Sequence, residues 1–295
     1  MKQRARALIG YFPKAEALAL LAGGPAEEAP TAEPEEIWEQ LANRVRTRPV
    51  YGASNPLLDP PDEIQPVLAK FADRPDVRAA MQTHDWSVGF ADLSKSVLSY
   101  QRVVITEGLE QLLHAVYRNQ PHSIADLCLP EPRTLQFSGS FDKAQNAFTS
   151  ASLNPNLRVA GFAVVNQSVP GVDVPQQLFG FQLSLGTRFM QLVEYQGRWM
   201  VRDGYHRMHG LLSMGITQIP CVVVRAKSFE ETGAGRPGFF GHEVLFGDRP
   251  PFVTDFQSED FAFDVHIQAM MRIVRIRAEE FVVPVQDVPD TDDLS

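Results

Sequence analysis

The chain has 295 residues, enough for one large domain or two modest ones, and 44% of them are hydrophobic against 21% charged, so a packed soluble core is expected. Its formal charge of −9 argues against a protein that tracks a nucleic-acid backbone, which requires a basic face. Two cysteines, Cys128 and Cys221, make no secreted disulfide framework, and Cys221 sits in the apolar run Ile219–Val224 as a small core residue.

In chain order, Lys2–Leu21 reads as an amphipathic helix broken near Pro13, not as an export signal, because Pro13, Lys14 and Glu16 interrupt any continuous apolar core. No uninterrupted apolar stretch of about 18 residues exists, so no membrane span is expected and the default location is the cytoplasm. Residues 23–36, rich in Gly, Pro, Ala and Glu, read as a linker. Ile37, Trp38, Leu41 and Val45 recur at helical spacing, as do Ile64, Val67, Leu68 and Phe71, and Val77–Met81 gives a short third helix. Residues 1–85 are therefore expected to form a mostly helical region, able to dock a protein partner or pair two copies.

From Trp86 the pattern changes to an α+β arrangement running to residue 285. Ser96–Ile105 reads as strand and Thr106 opens a helix carrying Leu109, Leu112, Leu113, Val116 and Tyr117. Arg158–Asn166, Leu178–Leu185 and Arg188–Tyr195 are strands, with a tight turn at Gln196-Gly197 into Arg198–Arg202. His206–Met214 is a helix ended by Gly215, and Gln218–Val224 a strand. The glycine- and proline-rich segment 229–257 is a long loop, either a lid carrying Arg236, His242 and Arg249 or an excursion packed by its own phenylalanines. Residues 259–271 fit helix and strand equally, the segment up to 285 ends as strand, and 286–295 is an acidic tail.

The most chemically loaded stretch is Asp203-Gly204-Tyr205-His206-Arg207. Met208, Leu211 and Leu212 lie within one arc of the following helix and face the core, which points His206 away from it and places Arg207 and His209 on the flanks. A helix N-terminus favours an anion, Gly204 allows close approach of a ligand, and Asp203 suits a cap or a metal bound to phosphate. The rival reading is an ordinary strand–turn–helix. His206 and His209 stand at i, i+3 without a third ligand, so no protein-held metal site is expected.

Arg188–Val224, with Val201, Gly204, His206, Arg207, the helix to Met214, Gly215 and Ile219-Pro220-Cys221-Val222-Val223-Val224, resembles the central signature of the ParB/sulfiredoxin-like superfamily. The Asp-Gly-x-His-Arg form is closest to its free-serine-kinase and sulfiredoxin-type branches. The resemblance implies an α+β, mixed-sheet domain that binds a nucleotide, such as ATP or ADP, with Mg²⁺. Its phosphates would lie against Gly204, Tyr205, His206 and Arg207, and His206 and Asp203 would serve phosphoryl transfer or hydrolysis. Ser168–Thr187 shows neither the helix that precedes these strands in the family nor a Glu to serve as its base. The alternative is therefore a non-catalytic nucleotide-sensing or protein-interaction module.

Overall fold

The computed structural model describes residues 2–23, 32–107, 121–131, 139–152, 157–165, 178–185, 189–236, 238–282 and 284. They divide into two compact units, Met1–Arg133 with Thr187–Ala269, and Thr134–Gly186 with Met270–Ser295. The class is α+β, as expected. The expected division near residue 85 is corrected. The first helices share one core with the later strands, and Phe71 meets Phe189 edge-on at 5.4 Å. Within 86–285, the stretch 134–186 belongs to a separate unit.

In the first unit the helices are α1 (Lys14–Leu21), α2 (Ala32–Thr47), α3 (Gln65–Ala72), α4 (Pro75–Met81), α5 (Pro121–Cys128), α6 (Tyr205–Ser213) and the single turn α7 (His242–Leu245). The strands are β1 (Lys2–Ala7), β2 (Leu57–Leu58), β3 (Asp85–Asp92), β4 (Val103–Ile105), β9 (Gln191–Tyr195), β10 (Arg198–Asp203), β11 (Gln218–Arg225) and β12 (Phe263–Gln268). The second unit holds β5 (Gly139–Asp142), β6 (Ala147–Ser152), β7 (Arg158–Val165), β8 (Leu178–Ser184) and β13 (Arg272–Arg277). Three of the expected helices and the hairpin Arg188–Arg202 with the helix and strand after it therefore appear within a few residues of their expected bounds. The expected helix from Thr106 falls almost wholly outside the described residues, as do most of the linker and the tail 286–295.

The five-stranded sheet runs β10-β9-β11-β3-β2. Its central strand, β11, is buried from Ile219 to Val224 and lies parallel to β9 and antiparallel to β3, from Gln218 opposite Asp92 to Arg225 opposite Asp85. An unbroken apolar run suits a strand covered on both faces. The second sheet runs β12-β1-β4. Here the expected helix at Lys2–Leu21 is half wrong: only Lys14–Leu21 is α-helical, and Lys2–Ala7 is a strand. Ala5 and Ala7 are buried while Arg4 is exposed, and six residues of β12 pair with it in register. Long-range pairing outweighs the helix preference of Ala, Arg and Lys. Ser96–Ile105 is regular strand only at Val103–Ile105. Leu98 makes single bridges to Met200 and Phe252, and Gln101 to Phe239, so its partners change every few residues. Residues 263–268 are strand, which resolves the ambiguous segment.

The loop 229–257 is pinned to the core at several points, with Phe240 and Phe256 buried. Asp255 is buried and salt-bridged to Arg48 at 2.7 Å, accepts hydrogen bonds from the Tyr11 hydroxyl and the Phe252 amide, and so ties this loop to the end of α2. Among the described residues no helix is long and apolar enough to cross a membrane.

Removing one partner of such a pair strands a buried charge. Arg48→Ala is expected to cost about 3–5 kcal/mol in urea denaturation, and Arg48→Met with Asp255→Leu to regain most of it.

Candidate functional site

β10 ends at Asp203, and Gly204 turns the chain into α6 with φ +89°, a left-handed conformation that glycine adopts freely. A Cβ here would also stand 2.7 Å from Met190 Cγ. Asp203 Oδ1 accepts the Gly204 N–H at 2.7 Å, so the carboxylate braces the turn itself. Gly204 is the N-cap and brings no side-chain acceptor to the first amides of α6, which point outward with the positive end of the helix dipole.

Met208, Leu211 and Leu212 are buried, as their spacing predicts. His206 and Arg207 are not free, contrary to expectation. His206 Nδ1 accepts the Ile105 N–H of β4 at 3.1 Å, and Arg207 Nη1 donates to the Leu127 carbonyl at the end of α5 at 2.8 Å. The helix carries these polar groups where its two neighbouring elements pass, so they serve to dock α6. His209 is also buried: Gln257 Nε2 donates to its Nδ1 at 2.8 Å. Burial holds both imidazoles down to a pKa of about 4. A ring accepting at Nδ1 is neutral and carries its proton on Nε2. His209 borders a cleft of about 340 Å³ shared with Arg4, Arg6, Thr106, Ser213 and Gln257, which does not include the Asp203–Arg207 turn.

A group that sequence spacing does not reveal gathers on the other side of the turn. Arg202 Nη1 donates to Gln191 Oε1 at 2.6 Å and Nη2 to His84 Nε2 at 2.7 Å, while its buried Nε has no hydrogen-bond partner. The Tyr100 hydroxyl donates to the Arg202 carbonyl. Burial raises the Tyr100 and Tyr205 phenols, helped by the Asp203 carboxylate. His84 and Arg202 stand 118 residues apart in the chain, so only the fold could reveal the pair.

Of the three expected lid residues, only Arg236 comes to this group. It is exposed, and its charge acts on Tyr100, Arg202 and Tyr205. Phe239 places it by stacking near Tyr100, with ring centroids 4.8 Å apart, while the Phe240 N–H donates to the Tyr100 carbonyl. His242 instead stacks on Phe246 at 4.5 Å and meets Phe229 edge-on, and Arg249 Nε donates to the Arg48 carbonyl at 2.8 Å. Neither belongs to the turn. Among the described residues no group of three or more His, Cys, Asp or Glu is placed to hold a metal ion. A Mg²⁺ at Asp203 would take its remaining ligands from phosphate and water.

Gly204→Ala is expected to lower stability by roughly 1–3 kcal/mol, read as a fall in Tm, because it adds left-handed strain to a contact with Met190. The neutral histidines give a second expectation. Their folded pKa lies below the unfolded value near 6.5, so the unfolded chain binds more protons between the two. Their contribution is whole above about pH 6.5 and is lost progressively down to about pH 4, up to roughly 3 kcal/mol for buried His209. His209→Gln should flatten that part of a Tm-against-pH profile.

Compared with known proteins, the chain matches no family model, no curated protein and no solved structure, so the site is read from its own geometry.

Proposed function

We propose that the Asp203–Arg207 turn, with Arg202 and Arg236, binds the phosphates of a nucleotide such as ATP or ADP, with Mg²⁺ as counter-charge, in a ParB/sulfiredoxin-like manner and in the cytoplasm. The carrying observation is that two cations stand beside the N-terminus of α6: the half-buried Arg202 lies at the end of the strand that leads into the Gly204 turn, and the charge of Arg236 acts on both Arg202 and Tyr205, while Met190 fills the space where a Gly204 side chain would stand. Oriented amides and two guanidinium groups suit an anion of two or more charges. The ParB/sulfiredoxin-like resemblance of Arg188–Val224 supports the same placement. Asp203 would face the ligand only through a cation, since two anions otherwise repel.

Two observations favour binding without chemistry over phosphoryl transfer. His206 is neutral with its Nδ1 occupied, and Arg207 is spent on the Leu127 carbonyl, so the residues expected to act in catalysis hold α6 in place. A nucleotide-sensing module fits these constraints. A catalytic reading would need His206 to act through Nε2–H alone, as a donor to charge developing on the phosphate.

The test is a thermal-shift titration with ATP, ADP, CTP and GTP plus Mg²⁺, for the wild type and Arg236→Ala. The expected result is stabilisation by at least one nucleotide, lost in the variant while its unliganded Tm stays unchanged. No shift with any of the four removes the proposal. Phosphate release above the protein-free rate would restore the catalytic reading.

A further inference from the structure

The second unit presents its apolar residues outward. Among the described residues eleven large hydrophobic side chains are exposed, and all but Val50 belong to this unit. Phe162 is 71% exposed and Phe281 78%. The hairpin β7–β8 is a two-stranded ribbon carrying Val159, Phe162, Val164 and Phe181 in the open. A ribbon of two strands is marginal on its own. In the three-stranded sheet, ordered β13-β6-β5, Ile276, Phe148 and Phe141 line up across the strands. With Phe181 and Leu183 they line an apolar groove of about 470 Å³.

We propose that this unit is a self-association surface whose partner is a second copy of the chain, joined edge to edge through β13. Three observations select that partner. β13 is an edge strand, a ready template for another strand. The second is that exposed apolar side chains lie on and just beyond that edge, Ile273, Phe281 and Val282, where pairing would bring them against the second copy.

The third is charge. The edge reads Arg272, Arg275 and Arg277, then Glu279 and Glu280, all exposed. A basic half followed by an acidic half is self-complementary under a two-fold axis. Antiparallel pairing centred on Ala278 sets Arg277 opposite Glu279 of the second copy, Arg275 opposite Phe281, and Val274 opposite the fully exposed Val282. Arg277 already pairs with Glu279 of its own chain at 3.4 Å, so dimerisation exchanges the one pair within each copy for two equivalent pairs between the copies. Ala278 is in register for this, because its N–H already donates to the Asn146 carbonyl at 3.1 Å and extends the sheet past Arg277. The result is a six-stranded sheet, β5-β6-β13 followed by its two-fold copy, in which Phe281 and Val282 gain a neighbour.

Analytical ultracentrifugation of the full chain over the micromolar range tests this. The wild type should sediment as a dimer in equilibrium with monomer, and Phe281→Asp as a monomer with unchanged circular dichroism and Tm. Arg277→Glu and Glu279→Lys should each weaken the dimer roughly tenfold by setting like charges opposite one another, and the double variant should recover it. A wild type that stays monomeric overturns the proposal, as does a dimer indifferent to Phe281→Asp and to both charge reversals. A monomer that floats with phosphatidylcholine vesicles would overturn it in favour of a lipid surface.

Discussion

The buried pair Arg48–Asp255 fixes the frame in which the rest of the first unit is arranged. Two charges withdrawn from water are tolerated only when each is fully partnered. Here Asp255 also accepts from Tyr11 and from the Phe252 amide, and Arg48 lies over the rings of Phe252 and Phe261 at 4.5 and 4.6 Å. The turn that carries Asp255 also carries Gln257, which donates to His209 and accepts from the Ser213 hydroxyl. One face of α6 is thus set by the same short segment that meets α2. Ile105 and Leu127 hold its first turn. The glycine turn at residue 204 is rigid because the helix behind it is held at both ends.

That rigidity shapes what the turn can do. Side chains that lock a helix in position are not free to move with a reacting group, and a neutral histidine accepting a backbone N–H is a poor acid or base near pH 7. The charges left beside the turn are Arg202 and Arg236, on elements other than α6. In the proposed phosphate site, recognition and scaffolding would therefore be divided: α6 supplies oriented amides, while a strand end and a loop supply the cations.

Several of these elements were legible in the sequence because their signals are local. The arc of Met208, Leu211 and Leu212 fixes which face of α6 is buried, and the unbroken run Ile219–Val224 marks a central strand. Lys2–Ala7 was not legible as strand. Its residue types favour helix, and the deciding contact is with residues 263–268. The Ala5 and Ala7 alternation was present but carries little weight for so small a side chain. His206 and Arg207 read as free because the elements that engage them, β4 and the end of α5, cannot be placed from sequence. His84 and Arg202 meet for the same reason without any spacing to announce it, and the loop 229–257 holds its place through ring contacts that leave no periodic trace. The interleaving of two units along one chain was equally hidden.

The pairing of β1 with β12 also has a consequence for synthesis. Lys2 sits opposite Gln268, so on this edge β1 waits for a strand made some 266 residues later. Its edge stays open throughout that interval, and β13, which completes the sheet of the other unit, follows β12 directly. Both units therefore close over the same stretch of synthesis. A nascent chain stalled before residue 263 has β1 paired on its β4 side alone, a state that favours chaperone capture over partial folding.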